Sequence, residues 1–211
     1  MSERIRLGVL GCPVAHSRSP QMMGAALQAA GLPGWRYQRL PVPEELFAET
    51  TTALPGAGFR GANVTIPHKQ AAVALADEPT DAARAIGAAN TLLFEPSGAI
   101  LADNTDAPAL LQALPNPPRG SSALVLGAGG SARAAVWALL DAGAADVFVW
   151  NRDPERARRM CDELGCRMVA SALPADILVN CTPVGTGGEE ATFKQLPFRA
   201  DELAMFECVI D

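Results

Sequence analysis

The stretch Leu124-Val125-Leu126-Gly127-Ala128-Gly129-Gly130-Ser131-Ala132 decides the fold class of this chain. A short apolar run enters a glycine turn, and a small-residue helix opens out of it. Gly127 permits the tight turn, and Gly129 lets backbone approach a pyrophosphate. Ala132 allows close packing of helix on strand, and the helix N-terminus supplies amides and a partial positive charge. A glycine fingerprint alone is weak. Here strand and helix flank it on both sides, the context that makes it a dinucleotide-binding turn lined by Gly127, Ala128, Gly129, Gly130 and Ser131.

Working outward, residues 123–126, 146–150, 167–170, 177–181 and 206–210 read as strands, the third of them weak. Residues 131–142 and 155–164 read as helices ended by Gly143 and Gly165. Strands alternating with crossover helices predict a doubly wound parallel sheet of Rossmann type, here without its last strand. The end of the second strand selects the cofactor. An acid there favours NAD, and an arginine accommodates the 2′-phosphate of NADP. Asn151-Arg152-Asp153-Pro154-Glu155-Arg156 follows it, with two arginines one helical turn apart, and this favours NADP. Asp153 stands against it, because a carboxylate facing that phosphate would repel it. The same arginines also fit a solvated pair at a helix start with Asp153 as cap.

The N-terminal half is also α/β. Strands are expected at 5–10, 35–40 and 61–65, and helices at 20–30, at 44–54 and from about 67. A hairpin over 90–94 and 100–102 turns at Ser97-Gly98. The boundary falls at 104–114, a connecting helix followed by Pro115, Pro117 and Pro118. This gives a substrate-binding and catalytic α/β domain over 1–103, a connection over 104–118 and the cofactor domain over 119–211. Four polar motifs lie at element ends, where ligands are usually met. They are Gly11-Cys-Pro-Val-Ala-His-Ser17-Arg-Ser19-Pro20, Asn63-Val-Thr65-Ile-Pro67-His-Lys69, Ala88-Ala-Asn90-Thr91 and Asp103-Asn-Thr-Asp106. Each also has a plain structural reading: the serines as a helix cap, Asn90 as a turn residue, Asp106 as a helix-start carboxylate.

Composition excludes other classes. The charge sum of −6 (17 basic, 23 acidic) argues against a nucleic-acid surface. No apolar run approaches the ~18 residues of a membrane span. Five irregularly spaced cysteines and two histidines fit neither a zinc site nor a disulfide scaffold. Buried free thiols in a reducing cytoplasm are expected. Of the 17 basic residues only Lys69 and Lys194 are lysines. Lysine can release a proton when its surroundings lower its pKa, and arginine cannot. Lys69 sits inside a motif, whereas Lys194 has no such context and reads as surface.

In the order GxPxxHSxSP, NVTxPxK, AANT, NTD, GAGGSARA, NRxxxRA and NxTPxG, the chain resembles the shikimate dehydrogenase family along nearly its whole length. The resemblance implies NADP-dependent reduction of 3-dehydroshikimate to shikimate by a monomer or homodimer, with a small-molecule substrate and no metal. It implies that Ser17 and Ser19 hold the substrate carboxylate. Thr65, Asn90, Lys69 and Asp106 surround the ring hydroxyls and the reacting carbonyl, with Lys69 and Asp106 catalytic. Asn151, Arg152 and Arg156 meet the adenosine phosphate, and Thr182 and Gly185 border the nicotinamide. A quinate/shikimate dehydrogenase using NAD and a non-catalytic binding relic are the alternatives. Three positions depart from the family pattern: Ala102 and Ala107 replace common glycines, and Thr186 replaces a common methionine. Family members also continue past Asp211 with a tyrosine-bearing loop, a strand and a closing helix. The expectation is therefore an incomplete piece of a longer enzyme, with an apolar sheet edge prone to aggregate.

Overall fold

The computed structural model describes residues 4–185 and 192–211, so Thr186 lies outside the described residues. Two compact units divide the chain, Met1–Thr105 and Asp106–Asp211.

The first unit holds β1 (Arg6–Gly11), α1 (Ser19–Ala29), β2 (Arg36–Pro41), α2 (Phe47–Ala53), β3 (Phe59–Val64), α3 (Lys69–Leu75), β4 (Glu78–Pro79), α4 (Asp81–Ile86), β5 (Thr91–Phe94) and β6 (Ile100–Asp103). Its sheet order is β2-β1-β3-β5-β6-β4. The β1–β2 and β1–β3 pairs are parallel, and β5 is antiparallel to β3 and β6. Leu10, Phe59, Val64, Leu92, Phe94 and Ile100 pack with helix residues such as Phe47 and Ala72 into one core. On the other face Leu7, Tyr37, Asn63 and Leu93 line a groove of about 500 Å³. The departures Ala102 and Ala107 are both fully buried.

Several expected bounds shift for local reasons. The helix expected over 44–54 opens with a 3-10 turn, Glu44–Leu46. The helix expected from about residue 67 begins at Lys69, because His68 N bonds the Thr65 carbonyl in a tight turn first. The expected serine cap is corrected: Arg18 is the N-cap of α1, without a side-chain capping bond. β4 and α4 were not anticipated. β4 has two residues, too few for a period, although Thr80 caps α4 by accepting from Ala83 N and Gly87 ends it at φ 69°.

The second unit contains α5 (Asp106–Ala113), β7 (Ser122–Leu126), α6 (Gly130–Asp141), β8 (Asp146–Trp150), α7 (Pro154–Leu164), β9 (Arg167–Met168), β10 (Ile177–Asn180) and β11 (Cys208–Ile210). All pairs in the order β11-β10-β7-β8-β9 are parallel. β7 is central, and its alternate side chains feed two cores, as a period of two requires. Ala123 and Val125 pack under α6 and α7 with Val136, Leu139 and Met160. Leu124 and Leu126 pack on the other face with Leu178, Phe198 and Phe206.

Two corrections belong here. β9 and β10 are joined without a helix, and only 3-10 turns (Thr192–Gln195 and Ala200–Met205) are described between β10 and β11, so crossover helices do not recur throughout. The fifth strand begins at Cys208 rather than at 206, because Phe206 ends a 3-10 turn and enters the core. The thiols also differ from expectation. Cys161 is buried, Cys12 is exposed and the other three are partly exposed. Among the described residues no helix is long and apolar enough to cross a membrane.

Candidate functional site

In the first unit the sheet register collects four motifs at one end. β1 and β3 run parallel with Leu10 opposite Val64, so the segments after both strands leave from the same edge. β5 runs antiparallel with Thr91 opposite Asn63, which brings Asn90 to that edge. β6 returns with Asp103 opposite Thr91, bringing Asn104 and Thr105 there. The carboxyl ends of parallel strands are where α/β sheets bind ligands.

Close backbone approach holds the edge together. Thr65 N bonds Leu10 O at 2.8 Å and Cys12 N bonds Ile66 O at 3.0 Å. A Cβ on Gly11 would stand 2.5 Å from Thr65 Cγ2, so the glycine is required for this approach. Ser17 Oγ donates to Ser19 Oγ at 3.1 Å and accepts Ser19 N at 3.3 Å, which turns both hydroxyls into one locality. Arg39 Nε donates to Ser17 O at 2.9 Å, and its Nη2 donates to the same oxygen. Thr65 and Lys69 flank the β3–α3 turn. His68 between them is 1% exposed, holds Val42 O at 2.7 Å through Nε2 and stacks on Phe47 with centroids 4.5 Å apart. Ala89 N donates to Lys69 O at 2.8 Å. The Lys69 backbone is thus fixed, and its side chain is half-buried.

Asn90 Nδ2 donates to Thr105 Oγ1 at 2.8 Å, and Asn90 Oδ1 accepts Thr105 N at 3.0 Å. Between the serine pair and Asn90 stand polar residues to which sequence reasoning gave no role. Tyr37 lies near Ser19 and donates its hydroxyl to Asn63 Oδ1 at 2.7 Å. Asn63 Nδ2 reaches Thr91 Oγ1 at 3.3 Å, and Thr91 donates to Asn90 Oδ1 at 3.0 Å. The result is a continuous polar chain from Tyr37 to Thr105, with the serine pair beside its Tyr37 end. Burial pushes the Tyr37 phenol up to about 12 against the opposing effect of the nearby Ser19, so it stays a neutral donor. Asn63 already stood inside a quoted motif, whereas Tyr37 gave no local signal.

The second unit holds the remaining predicted residues. Asp106 opens α5. Gly127 adopts φ +109°, and a Cβ there would meet Cys181 O at 3.1 Å and Thr182 Cγ2 at 3.5 Å. Only glycine fits, and Thr182 lies against the turn. Ala128 is buried, Gly129 is the N-cap of α6, and Gly130 and Ser131 form its first turn. No side chain caps this end, and the space a Gly129 Cβ would fill is open to 4 Å. Asn151 Nδ2 donates to Asp153 O at 2.9 Å. The Arg152 and Arg156 guanidiniums are exposed. Asp153 faces its own helix, accepting Glu155 N at 3.0 Å and Arg156 N at 3.3 Å. Its carboxylate is turned onto the start of α7 as a cap. Beyond β10, Asn180 Oδ1 accepts Thr182 Oγ1 at 2.7 Å and Thr182 N at 3.1 Å, and Asn180 Nδ2 donates to Val184 O at 3.2 Å. Asn180, the first residue of the NxTPxG motif but given no role there, shapes the loop that carries Thr182 and Gly185. An asparagine before Thr-Pro at a strand end is an Asx-turn signal that could have flagged it. No cluster of three or more metal-ligating side chains occurs among the described residues.

A Rossmann-type unit with an uncapped glycine turn, following in sequence an α/β unit whose strand ends gather hydroxyl, amide and amine groups, defines a dinucleotide-binding α/β protein of the dehydrogenase class. The family described as shikimate dehydrogenase substrate binding domain matches residues 9–92, and the family described as shikimate / quinate 5-dehydrogenase matches residues 111–182. The chain belongs to the shikimate dehydrogenase family. It is 47% identical over 199 residues to the shikimate dehydrogenase (NADP(+)) of Methylobacterium radiotolerans, covering 87% of this chain and 70% of the relative. It is similar to the solved shikimate 5-dehydrogenase of Thermus thermophilus in complex with NADP(H) and shikimate, at TM-score 0.80 and 40% identity over 96% of this chain and 75% of that one. The Aquifex aeolicus shikimate dehydrogenase superposes at TM-score 0.81 with 34% identity, covering 90% and 73%.

Proposed function

We propose that the chain is an NADP-dependent oxidoreductase that reduces 3-dehydroshikimate to shikimate, a CH–OH-forming step of aromatic amino-acid biosynthesis. The observation that carries this reading is the family match across both units, together with the polar chain that the first sheet assembles from the matching motifs. The glycine turn fits a pyrophosphate, and the exposed Arg152 and Arg156 fit a 2′-phosphate. We place the enzyme in the cytoplasm, acting on its small-molecule substrate as a monomer or homodimer.

NADPH, when bound, supplies a hydride to the substrate carbonyl carbon. Residues of the chain do the rest. Ser17 and Ser19 donate to the substrate carboxylate, and Tyr37 and Arg39 keep that pair oriented. Thr65 and Asn90 bond the ring hydroxyls. Negative charge grows on the carbonyl oxygen as the hydride arrives, and the Lys69 ammonium stabilises it and delivers a proton from Nζ. Asp106 is the second catalytic group, a carboxylate that orders the cation and the substrate hydroxyl. Gly127, Ala128, Gly129, Gly130 and Ser131 line the pyrophosphate, Asn151 sits with the arginines at the adenosine end, and Thr182 and Gly185 border the nicotinamide.

Initial rates with shikimate and with quinate, each with NADP+ and NAD+, test the assignment. The highest kcat/KM is expected for shikimate with NADP+. A preference for quinate with NAD+ would overturn the substrate and cofactor assignments, and no rate with any pair would overturn the enzyme reading.

A further inference from the structure

The second unit carries a pair of thiols that the proposed reaction does not use. Cys161 lies in the last turns of α7, and Cys166 follows the helix immediately before β9. Gly165 ends α7 in the left-handed region at φ 79°, with its N–H on Cys161 O at 2.8 Å. This reversal folds the chain back over the final turn and brings side chains five residues apart together. Cys166 Sγ donates to Cys161 Sγ at 2.9 Å. Cys161 is 6% exposed, while Cys166 is partly exposed and opens the pair to a small solute.

The surroundings favour thiolate chemistry. Arg133 of α6 is 6% exposed and pairs with Glu163 of α7 at 2.7 Å. Its positive charge is the smallest of the effects on Cys166, which the Cys161 bond and then burial push up. The S–H···S bond holds the Cys161 thiol below the ordinary thiol range and raises Cys166 well above it. The pair therefore gives up its first proton more readily than an isolated thiol and its second less readily.

We propose that Cys161 and Cys166 form a redox-active dithiol, a modification site that closes to an intramolecular disulfide on exposure to a peroxide. Sulfurs in a disulfide stand about 2.0 Å apart, so closure requires about 0.9 Å of approach from the observed contact. One sulfur of the pair, as thiolate, attacks a peroxide oxygen. The O–O bond breaks, hydroxide leaves and takes up the released proton as water, and a sulfenic acid remains. The second sulfur attacks that sulfur, the S–O bond breaks, the second proton leaves with the oxygen as water, and the S–S bond forms. Two thiols are oxidised by two electrons and one peroxide is reduced to two waters. The cross-link ties the entry of β9 to the end of α7, the helix whose first turn carries Arg156.

The test treats the reduced 211-residue protein with hydrogen peroxide, folded and in denaturant. Remaining thiols are alkylated after unfolding, and peptides are read by mass spectrometry. The expected result is joint protection of Cys161 and Cys166 with a mass loss of about 2 Da, faster in the folded protein and reversed by dithiothreitol. Cys161→Ser and Cys166→Ser should each abolish the cross-link and leave a trappable sulfenic acid on the remaining thiol. Oxidation confined to the exposed Cys12, full alkylation of both partners, or equal rates in folded and unfolded chains would each overturn the proposal.

Discussion

In the proposed site, Arg152 is the side chain expected to carry the choice of cofactor. Asp153, the neighbour that could have opposed a phosphate, spends its charge on Glu155 N and Arg156 N. Arg152 lies two residues past the end of β8 and stays exposed, apart from that helix-capping duty. A charge-assisted contact to the 2′-phosphate is worth about 1.5–3 kcal/mol, or roughly tenfold to a hundredfold in affinity. Arg152→Ala is therefore expected to weaken NADP binding by that factor and to leave NAD binding nearly unchanged, as read by titrating both cofactors into the variant. Equal losses for the two would make Arg152 a structural residue. This position was legible in sequence because it lies within two residues of the strand end. Tyr37 was not legible, because its role arises only when β1 pairs with both β2 and β3 and so brings Tyr37 and Asn63, 26 residues apart, within 2.7 Å.

At the scale of elements, the second sheet depends on one carboxylate at the amino ends of its central strands. Asp176 Oδ2 accepts Ser122 N at 2.6 Å and Ser122 Oγ at 2.9 Å, joining the starts of β7 and β10. Its backbone carbonyl accepts Glu207 N and Cys208 N, which adds β11. The bond from Ser122 N, then that from Ser122 Oγ, holds the Asp176 carboxyl below the ordinary carboxylate range. A depressed folded-state pKa contributes stability that is complete above the unfolded value and is lost as pH falls through the folded value. Chemical unfolding followed across acidic pH should therefore show stability declining, with Asp176→Asn flattening part of the decline. An unchanged pH dependence in the variant would contradict this. The same elements show what patterning can reveal. β7 and α6 were readable from period and glycine punctuation. β4, at two residues, has no period to read and exists only through pairing with β6, whereas β9, expected as a weak strand over 167–170, is held to two residues beside β8.

At the scale of the molecule, two sheets serve two binding tasks by one rule. In the first unit the register brings segments after β1, β3 and β6 and before β5 to one edge. In the second, the β7 turn and the loop after β10 meet where Gly127 approaches Cys181. The motifs were visible in the sequence as separate islands. Their assembly follows from strand order, which short-range patterns do not encode.

The central claim is that Lys69 stabilises charge and delivers a proton at the substrate carbonyl in an NADP-dependent shikimate dehydrogenase. The most direct test is the steady-state kinetics of shikimate-dependent NADP+ reduction by the parent protein, Lys69→Ala and Lys69→Arg. Loss of a positioned acid or base costs about 10²–10⁴-fold in rate. Both variants should lose kcat on that scale with KM for shikimate changed far less, because arginine restores the charge but not the transferable proton. Near-parental kcat in a folded Lys69→Ala variant would contradict the account.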